Sequence, residues 1–160
     1  MTTPSLFVPG QPVTAEELQV LGSVATTWTP ALSSTGTTPT MGSGAVADGL
    51  YTQHNNIAEV WFDIAFGSGM AAGTGDYQVS LPVNIAPGAL DYMAVGHGMI
   101  YDDSLDDPWQ AQFHMLPGAP SIVRLAYAGL GGQDWATGSG PITWAQDDRI
   151  VGHLTYPADW

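Results

Sequence analysis

Basic residues are almost absent from this chain. Its 160 residues include no lysine and two arginines, Arg124 and Arg149, against 15 acidic residues, so the formal net charge is −13. Ordinary nucleic-acid binding is excluded because almost no side chain is available to neutralise phosphates. The same shortage excludes electrostatic attraction to an anionic membrane surface.

Cysteine is missing altogether, which excludes disulfide bonds and zinc–thiolate sites. A chain of this length buries roughly two-thirds of the surface that its unfolded form exposes, so it can fold without such cross-links. Its size fits one domain with a short appendage. The hydrophobic fraction of 44% also excludes an intrinsically disordered acidic chain.

Long apolar runs are lacking as well. No segment approaches the roughly 18 to 20 uninterrupted apolar residues that a membrane-spanning helix requires. The opening segment Met1–Gln11 has neither the basic start nor the apolar stretch of a signal peptide. We therefore expect no membrane insertion, and we expect synthesis and assembly in a cytoplasm.

The sequence also lacks the common catalytic motifs. The sequence has no cysteine nucleophile and no Gly-x-Ser-x-Gly elbow. Its four histidines, His54, His97, His114 and His153, form no closely spaced metal-binding or catalytic pair. We therefore expect a non-enzymatic protein with no catalytic residues and no cofactor.

Two loop-like segments match known ligand sites only in part. Gly67–Gly75 is rich in glycine but lacks the Lys-Ser/Thr ending and the following helix of a phosphate loop, so we interpret it as a flexible connection between strands. Asp102–Asp107 lacks the spacing of an EF-hand calcium loop. We interpret it and Asp147–Asp148 as solvated acidic turns and assign no metal site, although calcium binding at Asp102–Asp107 stays open.

Glycine and proline are abundant, and alternating hydrophobicity predicts strands between them. The 20 glycines and 12 prolines favour turns over helices. In Ile57–Phe66 every second residue is apolar, whereas Glu59, Trp61 and Asp63 lie on the other face. Eight strands are predicted: Thr26–Leu32, Val46–Gln53, Ile57–Phe66, Tyr77–Leu81, Tyr92–Tyr101, Trp109–Met115, Ile122–Tyr127 and Arg149–Tyr156. Short strands with such connections predict an all-β sandwich or jelly roll.

The first 25 residues differ from the rest. Met1–Pro12 contains three prolines and is predicted to be extended. Thr14–Glu17 matches a capping box, which, with Gly22 as terminator, predicts a two-turn helix at Ala15–Leu21. A helix this short needs a partner, so we interpret residues 1–25 as an anchoring arm and residues 26–160 as the β-domain. The candidate anchoring residues are Leu6, Phe7, Val8, Val13, Leu18 and Leu21.

Six tryptophans exceed what one small core readily holds. Trp61 stands on the polar face of its strand, and Trp135 and Trp144 lie near strand ends or in loops. Exposed aromatic residues serve contacts between subunits or stack on sugars. Subunit contact is the preferred interpretation because Trp61 lies within a strand, and glycan contact by these tryptophans is the alternative.

A series of short motifs resembles a module of tailed-bacteriophage virion proteins. The motifs are Trp28–Pro30, Pro39–Gly44, Gly49–Tyr51, the strand end Phe66–Ser68, Gly73–Pro82, and Ile142–Asp148 with Tyr156. The likeness covers the chain from about Trp28 to Tyr156. Such modules end minor tail proteins and tail fibres, and they also occur as small separate proteins.

The resemblance implies a jelly-roll β-sandwich of about eight antiparallel strands that assembles as a homotrimer on the virion surface. It implies no catalytic residues. We expect attachment through the arm, with the chain serving as a decoration protein bound to the major capsid protein or, alternatively, to a tail protein. The other function in view is a receptor-binding head of a tail fibre or minor tail protein that contacts a host-surface glycan.

Overall fold

The chain is built from antiparallel strands, which confirms the all-β prediction. The computed structural model describes residues 25–89, 91–129 and 132–159. Its strands are β1 (Thr26–Trp28), β2 (Leu32–Ser34), β3 (Val46–His54), β4 (Ile57–Ala65), β5 (Tyr77–Ser80), β6 (Ala94–Asp102), β7 (Asp107–Met115), β8 (Ile122–Gly129), β9 (Gly132–Trp135) and β10 (Arg149–Pro157). Within these residues no helix is long and apolar enough to cross a membrane.

The strands form one curled sheet in the order β1-β3-β4-β10-β6-β7-β8-β5-β2, with β9 paired to β8. Its two edges, β1 and β2, are consecutive in the chain and are separated by residues 29–31 alone. Because this link spans at most about 14 Å, the sheet must curl until its edges approach each other. Pro30, which has no N–H for a strand ladder, divides the predicted strand Thr26–Leu32 into these two short edges.

The core lies on the inner face of this curl. Buried and outward residues alternate along β4 and β10, as their hydrophobic period predicts. Phe62 of β4 and Phe113 of β7 meet edge to face with ring centroids 5.3 Å apart. The largest fully buried side chains besides Phe113 are Tyr77, Tyr156, Phe66, Ile64, Ile100, Leu125, Ile150 and Leu154.

Some element boundaries differ from the prediction. β6 begins at Ala94 instead of Tyr92, because Tyr92 has a φ of 60° and the register with β7 shifts between Ala94 and Gly96. β9 lies between the predicted strands Ile122–Tyr127 and Arg149–Tyr156, where no strand was predicted. The predicted helix Ala15–Leu21 lies outside the described residues.

The glycine-rich segment Gly67–Gly75 connects β4 and β5 and pairs with a second loop. Isolated bridges join Thr40 to Ala71 and Ser43 to Ser68. These hydrogen bonds hold the segment against residues 37–43, so the expectation of a flexible connection is wrong in that respect.

We expect Gly98→Ala to lower the free energy of unfolding by about 1–3 kcal/mol, because overpacking costs that much in a close-packed sheet. The added Cβ would collide with the Val151 carbonyl oxygen and lie 3.0 Å from the Phe113 ring. Gly129→Ala in β8 is the matched control, since the nearest atom there is 3.4 Å away. Chemical denaturation measures both variants, and equal stabilities would contradict this packing.

Candidate functional site

A trough crosses the outer face of strands β1, β3, β4, β10 and β6. Its floor is the row of paired residues Gly49, Phe62, Gly152 and Gly98, from which no side chain rises outward. The trough has a volume of about 700 Å³. It crosses four strand spacings of about 4.8 Å each, or about 19 Å.

Outward side chains form the two walls of the trough. One wall consists of the successive register partners Thr27, Leu50, Trp61, His153 and His97. The other consists of Asp48, Asp63, Val151 and Met99. Leu50 is 45% exposed and Trp61 is 38% exposed. The walls therefore combine exposed apolar surface with carboxylates at the β3–β4 end and imidazoles at the β10–β6 end.

Trp61 is held in place by ring stacking. Its indole lies parallel to the His153 imidazole, with ring centroids 5.2 Å apart and 4° between the planes. His153 contacts His97 edge to face at 5.7 Å, and its Nε2 lies 3.0 Å from a carboxylate oxygen of Glu59. Because these contacts already orient Trp61, it loses less conformational freedom when a partner covers it.

Two buried polar atoms of trough-lining residues have no hydrogen-bond partner among the described residues. They are the indole nitrogen of Trp28 and Oδ1 of Asp63. The other carboxylate oxygen of Asp63 accepts a hydrogen bond from Arg149 at 2.6 Å. An unpaired buried polar group costs about 1–3 kcal/mol, so these two atoms lower the stability of the sheet below the trough.

A second cluster continues along the outer face over β7, β8 and β9, and we name it the amide patch. It consists of Gln112, His114, Arg124, Gln133 and Trp135. Nε2 of Gln133 lies 2.7 Å from Oε1 of Gln112 and 2.8 Å from Nε2 of His114. The Arg124 guanidinium lies 4.9 Å from the centre of the Trp135 ring. A depression of about 410 Å³ connects the patch to the trough, because His97 and Gly98 line both.

The three tryptophans predicted as contact residues have different environments. Trp61 lies in the trough and Trp135 in the amide patch. Trp144 is only 6% exposed, contacts Phe66 at a centroid distance of 5.2 Å, and donates its indole N–H to the Thr137 carbonyl at 2.7 Å. The contact role predicted for Trp144 is therefore wrong, because its one polar group finds a partner inside the fold.

The remaining predicted site residues belong to the arm and lie outside the described residues; they are Leu6, Phe7, Val8, Val13, Leu18 and Leu21. Four further residues, which were not predicted as site residues, lie beside the two tryptophans; they are His97, His153, Gln112 and Gln133. Their common signal is that each occupies an outward position of a strand. Strand pairing, which the sequence does not state, brings these positions together.

The acidic turn between β6 and β7 is partly buried, which corrects the expectation that Asp102–Asp107 is fully solvated. Asp102 is 5% exposed, and one of its oxygens accepts hydrogen bonds from the Ser104 hydroxyl and the Leu105 N–H. Within the described ranges, no three histidine, cysteine, aspartate or glutamate side chains lie close enough together to hold a metal ion.

Asp148, which was also interpreted as part of a solvated turn, is fully buried. Its two carboxylate oxygens accept hydrogen bonds from the N–H groups of Asp103 at 3.0 Å and Ala145 at 2.7 Å. Burial raises the pKa of Asp148 above its ordinary value, although the two N–H donors act in the opposite direction. The carboxylate thus ties the loop before β10 to the β6–β7 turn.

Comparisons with known proteins give no match: no protein-family model, no curated protein and no solved structure matches this chain. The trough, the amide patch and the buried carboxylates are therefore interpreted from their geometry and chemistry.

Replacing Asp148 is expected to change how stability depends on pH. Because its pKa is higher in the folded chain than in the unfolded chain, the stabilisation that Asp148 gives at low pH is lost as the pH rises through the folded pKa. The stability of the wild type relative to Asp148→Asn should therefore fall as the pH rises above about 4. Urea denaturation across this range measures the difference.

Asp147→Asn is the matched control for that experiment, because it removes one exposed carboxylate from the same turn and changes the net charge equally. If the stability difference between the wild type and Asp148→Asn did not vary with pH, the role given to Asp148 would be contradicted.

Proposed function

We propose that this chain is a non-enzymatic structural protein of a tailed-bacteriophage virion. In this proposal it is a homotrimeric decoration protein on the outer surface, anchored through residues 1–25 to the major capsid protein or to a tail protein. The observation that carries the proposal is the trough, an exposed apolar concavity on the outer face of an all-β domain. The motif resemblance supplies the virion setting and the number of subunits.

A jelly-roll arrangement is part of the proposal. Strands β6, β7 and β8 are consecutive neighbours, and β5 lies beside β8. This is the Greek-key order from which jelly rolls are built. The curl that brings β1 and β2 together is compatible with two facing layers made from one sheet.

The trough has the chemistry of a contact between copies of the chain. Leu50 and Trp61 are exposed large hydrophobic residues on adjacent strands. The buried centre of an interface between copies is apolar and poor in unpaired charge. Of the two wall carboxylates, Asp63 meets this condition because Arg149 pairs with it at 2.6 Å, whereas Asp48 is exposed and forms no ion pair within the described residues. A second copy seated on this face would cover both hydrophobic side chains.

The distribution of charge supports attachment through the arm. Glu16 and Glu17 are the only charged residues in the first 25, whereas the remaining 13 acids belong to the β-domain. The uncharged run Leu6–Val8 can dock on another protein with little desolvation cost. The acidic β-domain keeps many copies apart before assembly, since like charges repel.

Leu50→Asp is expected to convert the trimer into a 16.8 kDa monomer, because it places a charge in the centre of the apolar contact. The matched control is Leu105→Asp, which adds the same charge to a side chain that is 73% exposed on the distant β6–β7 turn. Sedimentation velocity measures the mass of each variant. A Leu50→Asp protein that remains trimeric would refute the proposed contact.

Deleting residues 1–25 is expected to leave a folded trimer that no longer joins virus particles. The reason is that the arm, and not the β-domain, carries the proposed anchor. Co-purification of the protein with particles measures incorporation, while circular dichroism and sedimentation check that the domain is intact. A variant with Leu6, Phe7 and Val8 changed to serine tests the anchor without a deletion, and normal incorporation of either protein argues against it.

A further inference from the structure

We infer that the amide patch is a binding site for a neutral oligosaccharide. This goes beyond the structural role proposed above and uses a part of the outer face that lies beside the trough. The patch covers the outer face of β7, β8 and β9, and its depression meets the trough at His97 and Gly98, whereas the exposed apolar side chains of the proposed subunit contact are Leu50 of β3 and Trp61 of β4.

The shape of the patch follows from small residues on β8. Ala126 pairs with Gln112 on one side and with Trp135 on the other, and Ala128 pairs with Gln133. These alanines leave a low floor between the longer side chains of β7 and β9. The depression of about 410 Å³ described above lies here, lined by three glutamine side chains, Gln110, Gln112 and Gln133.

The polar groups of the patch are preorganised for hydroxyl and amide ligands. The two short contacts of Gln133, at 2.7 and 2.8 Å, hold the side chains of Gln112, His114 and Gln133 against one another. The Gln112 amide nitrogen and the Gln133 carbonyl oxygen then have no hydrogen-bond partner among the described residues. One site therefore offers both donors and an acceptor, which is what a sugar hydroxyl or acetamido group needs.

Trp135 supplies an apolar surface beside these groups. His114 meets its ring edge to face at 5.5 Å, and Arg124 covers one of its faces. Trp135 is only half-buried, so part of its ring stays accessible beside these groups. A fixed aromatic ring next to a few convergent polar groups is the usual composition of a small-molecule site.

The charges near the patch select against an anionic ligand. Arg124 is paired with Asp76 at 3.2 Å, and Arg149 is paired with Asp63, so both arginines of the chain already have a carboxylate partner. With a formal net charge of −13, the chain repels acidic polymers, and a neutral sugar chain is the ligand that fits.

The test is calorimetric titration of the full chain with maltohexaose and with N-acetylchitohexaose. We expect binding to at least one of them, weakened about tenfold by Gln112→Ala and by Gln133→Ala, because each removes a hydrogen bond. Gln146→Ala is the matched control, since Gln146 is exposed and its amide has one side-chain hydrogen bond within the described residues, to Asp147. The Trp135 indole N–H signal, assigned with Trp135→Phe, should shift during an NMR titration.

Several results would overturn the inference: no binding of either neutral hexamer, binding that Gln112→Ala and Gln133→Ala both leave unchanged, or binding of an anionic hyaluronan hexamer alone. Sedimentation of the same variants separates this inference from the proposed assembly. A trimer that binds no sugar refutes only the sugar site, whereas a monomer that binds sugar refutes only the assembly.

Discussion

The packing of Phe62 and Phe113 against two glycines shapes both faces of the sheet. A Cβ at Gly152 would meet both rings, and a Cβ at Gly98 would lie 3.0 Å from Phe113. The aromatic rings thus lie directly against the backbone of β10 and β6 on the inner side. On the outer side the same stretch of backbone is the floor of the trough. One packing arrangement therefore fixes the core and the candidate interface together.

A chain with 15 acids and two arginines cannot neutralise its charge through ion pairs. The structure uses backbone N–H groups as well. Asp102 accepts from the Leu105 N–H within its own turn, and Asp148 accepts from two N–H groups of different segments. Charge-assisted hydrogen bonds of this kind are stronger than neutral ones. Some of the excess carboxylates thereby become part of the framework that holds the turns beside β10.

The sequence predicted features that depend on residues close together in the chain. It did not predict features that depend on which strands pair with each other. Alternation in Ile57–Phe66 predicted which residues of β4 are buried, because one face of that strand packs on the core. β9 was missed because four residues beside glycines resemble a turn. Trp144 was wrongly predicted as a contact residue because a tryptophan side chain can lie either at a surface or in a core. The hydrogen bond from its indole N–H to the Thr137 carbonyl, which allows it to be buried, is not visible in the sequence. The walls of the trough depend on strand order, which no local pattern encodes.

The division of the first strand at Pro30 leaves the curled sheet with very short edge strands. β1 and β2 have three residues each, and β9, which also pairs on one side only within the described residues, has four. Long exposed edge strands can pair with strands of other molecules and so start fibrils. Short edge strands offer few free N–H and C=O groups for such pairing. This geometry therefore reduces the backbone surface on which another strand could add to the sheet.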